Sequence, residues 1–160
     1  MRTKVLIGLA VILLATTSWL VAQDKPWFDM KNCDMCKNFT AHPGLMESMD
    51  WETHKISNGI MMLSMVKPEM VKAYRKANAA CNALGKKLQE GHQANMCGSC
   101  DAMGMLMMKG AKMEDVEIKN GGVMLLTSSD STVVADLHQY ADRNDQEWKK
   151  MMEAMPAESE

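Results

Sequence analysis

From Pro68 to Gln89 the apolar residues Met70, Val71, Tyr74, Ala77, Cys81, Leu84 and Leu88 recur at steps of three and four, the spacing of one stripe along an α-helix. Pro68 suits its first turn, where a missing N–H costs nothing, and Gly91 ends it. A second stripe, Val133, Val134, Leu137, Tyr140, Ala141, Trp148, Met151, Met152 and Met155, predicts another long helix, capped by Ser129-Asp130. Elsewhere the pattern is strand-like. Trp51 to Ile56 and Ile60 to Val66 flank Ser57-Asn58-Gly59, and Met113 to Lys119 and Val123 to Ser128 flank Asn120-Gly121-Gly122. Asn-Gly between such runs predicts two hairpins. A short helical segment follows Cys33 and Cys36, broken at His42-Pro43-Gly44 because proline disfavours helix in the residue before it, and Leu45 to Met49 forms a further turn. A Met-rich helix runs from Cys97 to near Gly110. Asp24 to Asp29 reads as a short, extended polar lead, and Pro156 to Glu160 as a frayed acidic tail.

The element order is therefore given twice. A shift of 64 places Cys33 and Cys36 on Cys97 and Cys100, and a shift of 63 places Met61 on Met124, Leu63 on Leu126 and Val71 on Val134. One deleted residue between motif and strand reconciles the two. This pattern predicts an internal duplication of a (CxxC)α-β-β-α unit, residues 30–90 and 95–154, within one α+β domain spanning 23–160. A lone hairpin is marginal, so the halves are expected to pair into a four-stranded antiparallel sheet with both long helices on one face.

The first 22 residues have a different character. Arg2 and Lys4 precede an apolar run from Val5 to Ala15, and Leu20-Val21-Ala22 offers small residues for cleavage before Gln23. This predicts an export signal and a periplasmic or other extracytoplasmic location; the alternative is an uncleaved anchor, the chain's one expected link to a membrane. Removing Arg2 and Lys4 from 18 basic residues leaves 16 against 20 acidic ones. With no basic patch carrying aromatics, nucleic acid is excluded as an expected partner.

The chemistry lies in sulfur. There are five cysteines and 19 methionines, and four of the cysteines form two CxxC pairs: Cys33 with Cys36, and Cys97 with Cys100. A CxxC at a helix start favours thiolates through the free N–H groups of the first turn. Two pairs supply the four sulfurs of a tetrahedral Zn(II) site, or two separate two-coordinate sites of the kind Cu(I) accepts. Sixty residues, 37 to 96, lie between the pairs, far more than the gap of about 15 to 20 in zinc ribbons, so a shared site has to be made by the fold. The expected partner is thus a thiophilic metal ion, Zn(II) or Cu(I), at Cys33, Cys36, Cys97 and Cys100. Two other readings use the same residues: a disulfide-stabilised structural or interaction module, and a thiol-disulfide exchange protein. Lys37 and Asp101 follow the pairs where covalent haem needs His.

The order CxxC, helix, strand, strand, helix resembles the middle of the heavy-metal-associated domain, in which a Met-x-Cys-x-x-Cys loop before a helix binds soft cations such as Cu(I). Gln89 to Met96 is too short to close one such domain and open the next. The run Gly121-Gly122-Val123-Met124-Leu125-Leu126-Thr127-Ser128-Ser129-Asp130 followed by Val133-Val134 is similar to small exported bacterial proteins built from duplicated hairpin-helix units. That resemblance implies a fold and a compartment, and no catalytic residue.

The remaining candidates have plainer readings beside the chemical ones. Met103, Met107 and Met108 share helical spacing with Cys100 and could add thioethers, although core packing gives the same spacing. His42, His54, His92 and His138 lack the spacing of a His-based zinc motif. Cys81 lies on an apolar stripe and reads as a small buried hydrophobe. Asp101, Glu114, Asp115 and Glu117 make no acid/base pair, and with no nucleophile, base and orienter set the chain is not expected to be an enzyme.

Overall fold

A computed structural model describes residues 25–154; the expected export signal (1–22) and acidic tail (156–160) lie outside the described residues. The elements are α1 (Lys37–Thr40), β1 (Met49–Ile56), β2 (Gly59–Val66), α2 (Val71–Gln89), α3 (Gly98–Met108), β3 (Lys112–Ile118), β4 (Gly121–Thr127) and α4 (Ser131–Ala154). Single 3-10 turns at Met46–Ser48 and Pro68–Met70 lead into β1 and α2. The chain is mixed α+β around one four-stranded antiparallel sheet of order β1-β2-β4-β3, so the second strands of the two hairpins pair at its centre.

Both predicted hairpins form, with two-residue turns at Ser57-Asn58 and Lys119-Asn120. No non-glycine residue among those described has a positive φ; the glycine after each asparagine carries it instead, at 155° for Gly59 and 154° for Gly121. A Cβ on Gly59 would lie 1.9 Å from the Leu126 carbonyl oxygen, and one on Gly121 1.9 Å from that of Ser64. The two glycines therefore let β2 and β4 approach closely, a steric need beyond the turn itself.

The sheet corrects the expected alignment of the hairpins. Gly59 and Gly121, the first residues after the two turns, are 62 residues apart, and the same offset carries the Lys55–Ile60 pair onto the Glu117–Gly122 pair. The shift of 63 read from Met61 and Met124 fails because Met124 pairs with Met62, which puts Met61 on the opposite face. A slip of one residue reverses every side chain in a strand, and runs as uniformly apolar as β2 and β4 carry no alternation to reveal it.

Ile60, Met62 and Leu126 alternate onto one face and bury against Val133, Leu137, Tyr140 and Ala141 of α4, with Trp27 and Leu106 in the same cluster. Leu45, Val66, Tyr74 and Ala77 form a second cluster. Leu45, Ile60, Leu126 and Leu137 are each 0% exposed, and burial of this kind contributes roughly 1.5–3 kcal/mol per side chain. His138 Nε2 hydrogen-bonds the carbonyls of Ile56 and Gly59 at 3.0 and 3.1 Å, pinning α4 above the first turn. The expected extended polar lead is a packed segment, because Trp27 is 9% exposed and belongs to the core.

Candidate metal centre

Each CxxC pair sits on a turn whose backbone is held from outside the pair. In the first, the Asp29 carboxylate accepts from the Lys31 and Asn32 N–H groups at 3.2 and 2.9 Å. Cys33 N–H then donates to Asp29 O at 3.1 Å, and Lys37 N–H to Cys33 O at 3.0 Å, starting α1. In the second, Cys97 is the extended N-cap of α3. The Gly98 and Ser99 N–H groups, which a helix start leaves unpaired, donate to Pro26 O at 3.0 Å and Trp27 O at 2.9 Å.

The two loops are tied to each other. Asp34 N–H donates to Asn95 O at 2.8 Å, Asn95 N–H returns to the Asp34 carboxylate at 2.8 Å, and Asn95 Nδ2 donates to Asn32 O at 2.9 Å. This clasp brings together two CxxC pairs with 60 residues between them in the chain. The Sγ atoms of Cys33, Cys36, Cys97 and Cys100 all lie within 4.8 Å of one another. Cys36 is 3.7 Å from Cys97 and 3.9 Å from Cys100. All five cysteines are free thiols, and a disulfide would require about 2.05 Å. Sulfurs at ~2.3 Å around a tetrahedral ion are separated by ~3.8 Å, so these distances match the edges of a tetrathiolate site.

Cys33 and Cys97 are 1% and 2% exposed, while Cys36 and Cys100 are half-buried, so the cluster opens to solvent on one side. Hydrogen bonds from the Cys100 and Cys36 thiols, and from the backbone N–H groups of Cys100 and Asp29, hold Cys97 well below the usual thiol range. Its neighbours move the other way. Cys100 is pushed far up by Cys36 and Cys97; Cys36 is drawn down by Cys100, but Cys97 and burial outweigh that and raise it. Thiols this close share protons around one favoured thiolate, and a cation at their centre is what allows all four to ionise.

Behind the second pair is a buried polar chain. Trp27 Nε1 donates to Asn144 Oδ1 at 3.0 Å, and Ser99 Oγ donates to the same oxygen at 2.9 Å. Indole N–H can only donate, which assigns the Asn144 oxygen as acceptor and leaves Tyr140 OH to donate to Ser99 Oγ at 3.0 Å. Ser99 lies between Cys97 and Cys100, so α4 grips this loop directly. Cys81 of α2 touches the corresponding residue of the first loop: its thiol donates to Met35 O at 3.5 Å and accepts from Asn38 Nδ2 at 3.7 Å. The expectation of a buried apolar filler is thus corrected. Cys81 is half-buried and hydrogen-bonded, with burial pushing its pKa up to about 11.

The methionine candidates separate from the cluster. At a rise of about 1.5 Å per residue, Met107 and Met108 lie about 10 and 12 Å beyond Cys100 along α3, Met108 is 83% exposed, and Met103 packs into the core. His54 pairs with Glu52 at 2.8 Å and His138 with backbone carbonyls, and among the described residues the metal-capable group contains no histidine. Asp101 pairs with Lys25 at 2.5 Å and Glu117 with Arg75 at 2.7 Å, surface pairs without a nucleophile. Asp29, Asp34, Asn95, Ser99, Tyr140 and Asn144 support the site without having stood out in the sequence. An Asx residue just before a CxxC was a weak local hint; nothing local marked Asn144. No protein-family model, curated protein or solved structure matches this chain.

Proposed function

We propose that this is an exported metal-binding protein holding one Zn(II) ion through Cys33, Cys36, Cys97 and Cys100. The observation that carries the reading is the convergence of four free thiols within 4.8 Å of one another, with Cys36 3.7 Å from Cys97 and 3.9 Å from Cys100. Four-coordinate sulfur favours Zn(II); Cu(I), the other soft cation expected, favours two or three sulfurs. Export rests on the basic, then apolar, then small-residue order of residues 1–22.

The site also supports a duplicated fold, with α2 and α4 on a common face as equivalent helices. Met35 and Ser99 correspond at the 64-residue offset of the CxxC pairs, and Cys81 and Asn144, which touch them, correspond at an offset of 63. The hairpins match at 62. Two extra residues in the first unit between motif and hairpin, and one extra residue in the second between hairpin and helix, relate all three segments. This is the architecture expected from the resemblance to small exported proteins of duplicated hairpin-helix units, and the soft-metal chemistry is that of the heavy-metal-associated domain.

Elemental analysis of protein purified under reducing conditions tests the function. One zinc per chain is expected, and Cys33→Ser, which leaves an incomplete cage, should abolish retention. A two-copper stoichiometry halved by the same substitution would replace Zn(II) by Cu(I) at separate pairs; metal-free protein that takes up neither ion once reduced would overturn the reading.

A further inference from the structure

The sheet face turned away from the buried clusters carries Met61, Leu63 and Met65 of β2, Val123 and Leu125 of β4, and Val116 of β3. None of the six belongs to either core cluster. Met65 is 43% and Val116 42% exposed, and the other four are half-buried. The pairing arranges them in adjacent rows: Leu63, Val123 and Val116 in one, Met61 and Leu125 in the next. Charge is confined to the outer strands, Asp50, Glu52 and His54 on β1 and Lys112 and Glu114 on β3. A contiguous apolar centre with a polar rim is the anatomy of an interface rather than of a solvated sheet face.

We propose that this face is a dimerisation surface whose occupant is the same face of a second copy. Four strands at a spacing of about 4.8 Å and eight residues at about 3.4 Å give a footprint of about 19 by 27 Å, or about 500 Å² per copy. Two copies therefore bury about 1,000 Å², the lower bound for a specific protein interface and the size of a dimer that comes apart on dilution. The pattern is self-complementary, as a two-fold contact requires. With the axis parallel to the strands, β1 of one copy lies over β3 of the other, which sets His54 level with Glu114 of the second copy and stacks the apolar rows centre on centre. Aligned packing of this kind makes a sandwich about 10 Å thick between sheets.

Sedimentation velocity on the purified zinc-loaded protein tests this. The wild type should sediment with twice the mass of one chain and dissociate on dilution. Met65→Lys/Val116→Glu, placed at the two most exposed of the six positions so that folding is spared and setting the new carboxylate level with Glu52 of the second copy, should halve the mass with the circular dichroism spectrum and zinc content unchanged. If that variant fails to fold, wild-type methyl resonances decide: those of Met61 and Met65 should be shielded from a soluble nitroxide when concentrated and bleached when dilute. A wild-type chain that is monomeric at its highest soluble concentration, a dimer that persists in the folded variant, or a monomer that binds lipid vesicles through this face would each overturn the proposal.

Discussion

Asn144→Leu isolates the contribution of the buried polar chain beneath the second CxxC loop. The substitution keeps the number and branching of the side-chain heavy atoms and removes the one oxygen that accepts from both Trp27 Nε1 and Ser99 Oγ. Asn144 and Ser99 are 3% and 5% exposed, so water does not replace the lost acceptor. Each buried donor left unpaired costs about 1–3 kcal/mol, and the added apolar contact of leucine returns about 1 kcal/mol of the two losses. The net expectation is a destabilisation of about 1–5 kcal/mol, or a fall in Tm of roughly 3–15 °C for a chain of this size. Because Ser99 lies between Cys97 and Cys100, zinc affinity should also fall about 10-fold or more, as when an outer partner of a metal ligand is removed. Urea unfolding followed by tryptophan fluorescence gives the first quantity, and competition with a chromophoric chelator the second. The exposed Asn82→Leu on α2 is the control and should change stability by less than about 0.5 kcal/mol. If Asn144→Leu behaves like Asn82→Leu in both assays, the polar chain has no part in stability or in shaping the site.

Other consequences are equally direct. Gly59→Ala sets a methyl 1.9 Å from the Leu126 carbonyl oxygen; with rigid backbone on both sides, a loss of about 3 kcal/mol or more in urea unfolding is expected. Cys81, raised from 9.0 to about 11, should be alkylated about 100-fold more slowly at pH 8 than an ordinary thiol, since the thiolate is the reactive form; Cys81→Ala should leave zinc content unchanged, and fast labelling or metal loss would contradict its assigned place. Asp34 is held below the usual carboxylate range by Lys37 and by the Asn95 N–H. A depressed folded pKa means that its contribution is full above about pH 4 and is lost as pH falls through the folded value. Circular dichroism titrated from pH 6 to pH 2 should therefore show a difference between wild type and Asp34→Asn that narrows only below about pH 4.

What the sequence revealed, and what it hid, divides along physical lines. Local signals sufficed for the hairpins, for the helices beginning near Pro68 and after Asp130, and for the four thiols, because turn chemistry, periodicity and CxxC spacing act over a few residues. The one-residue error in matching the hairpins arose where β2 and β4 carry apolar residues on both faces, so that neither strand declared its inner face. Convergence of the CxxC pairs was invisible for another reason. It depends on Asp34 meeting Asn95, and on the carbonyls of Pro26 and Trp27 meeting the start of α3. Those are backbone and Asx contacts whose partners any number of residues could supply. Cys81 was misread because an apolar stripe predicts burial and says nothing of a hydrogen bond to Met35 O.

Zinc-edge X-ray absorption on the purified wild-type protein tests the central claim most directly, because it reads the number and kind of ligand atoms around the ion. The account predicts four sulfur scatterers at ~2.3 Å and no nitrogen or oxygen shell. Two sulfurs completed by nitrogen or oxygen would mean that Cys33, Cys36, Cys97 and Cys100 do not share one ion, and would contradict it.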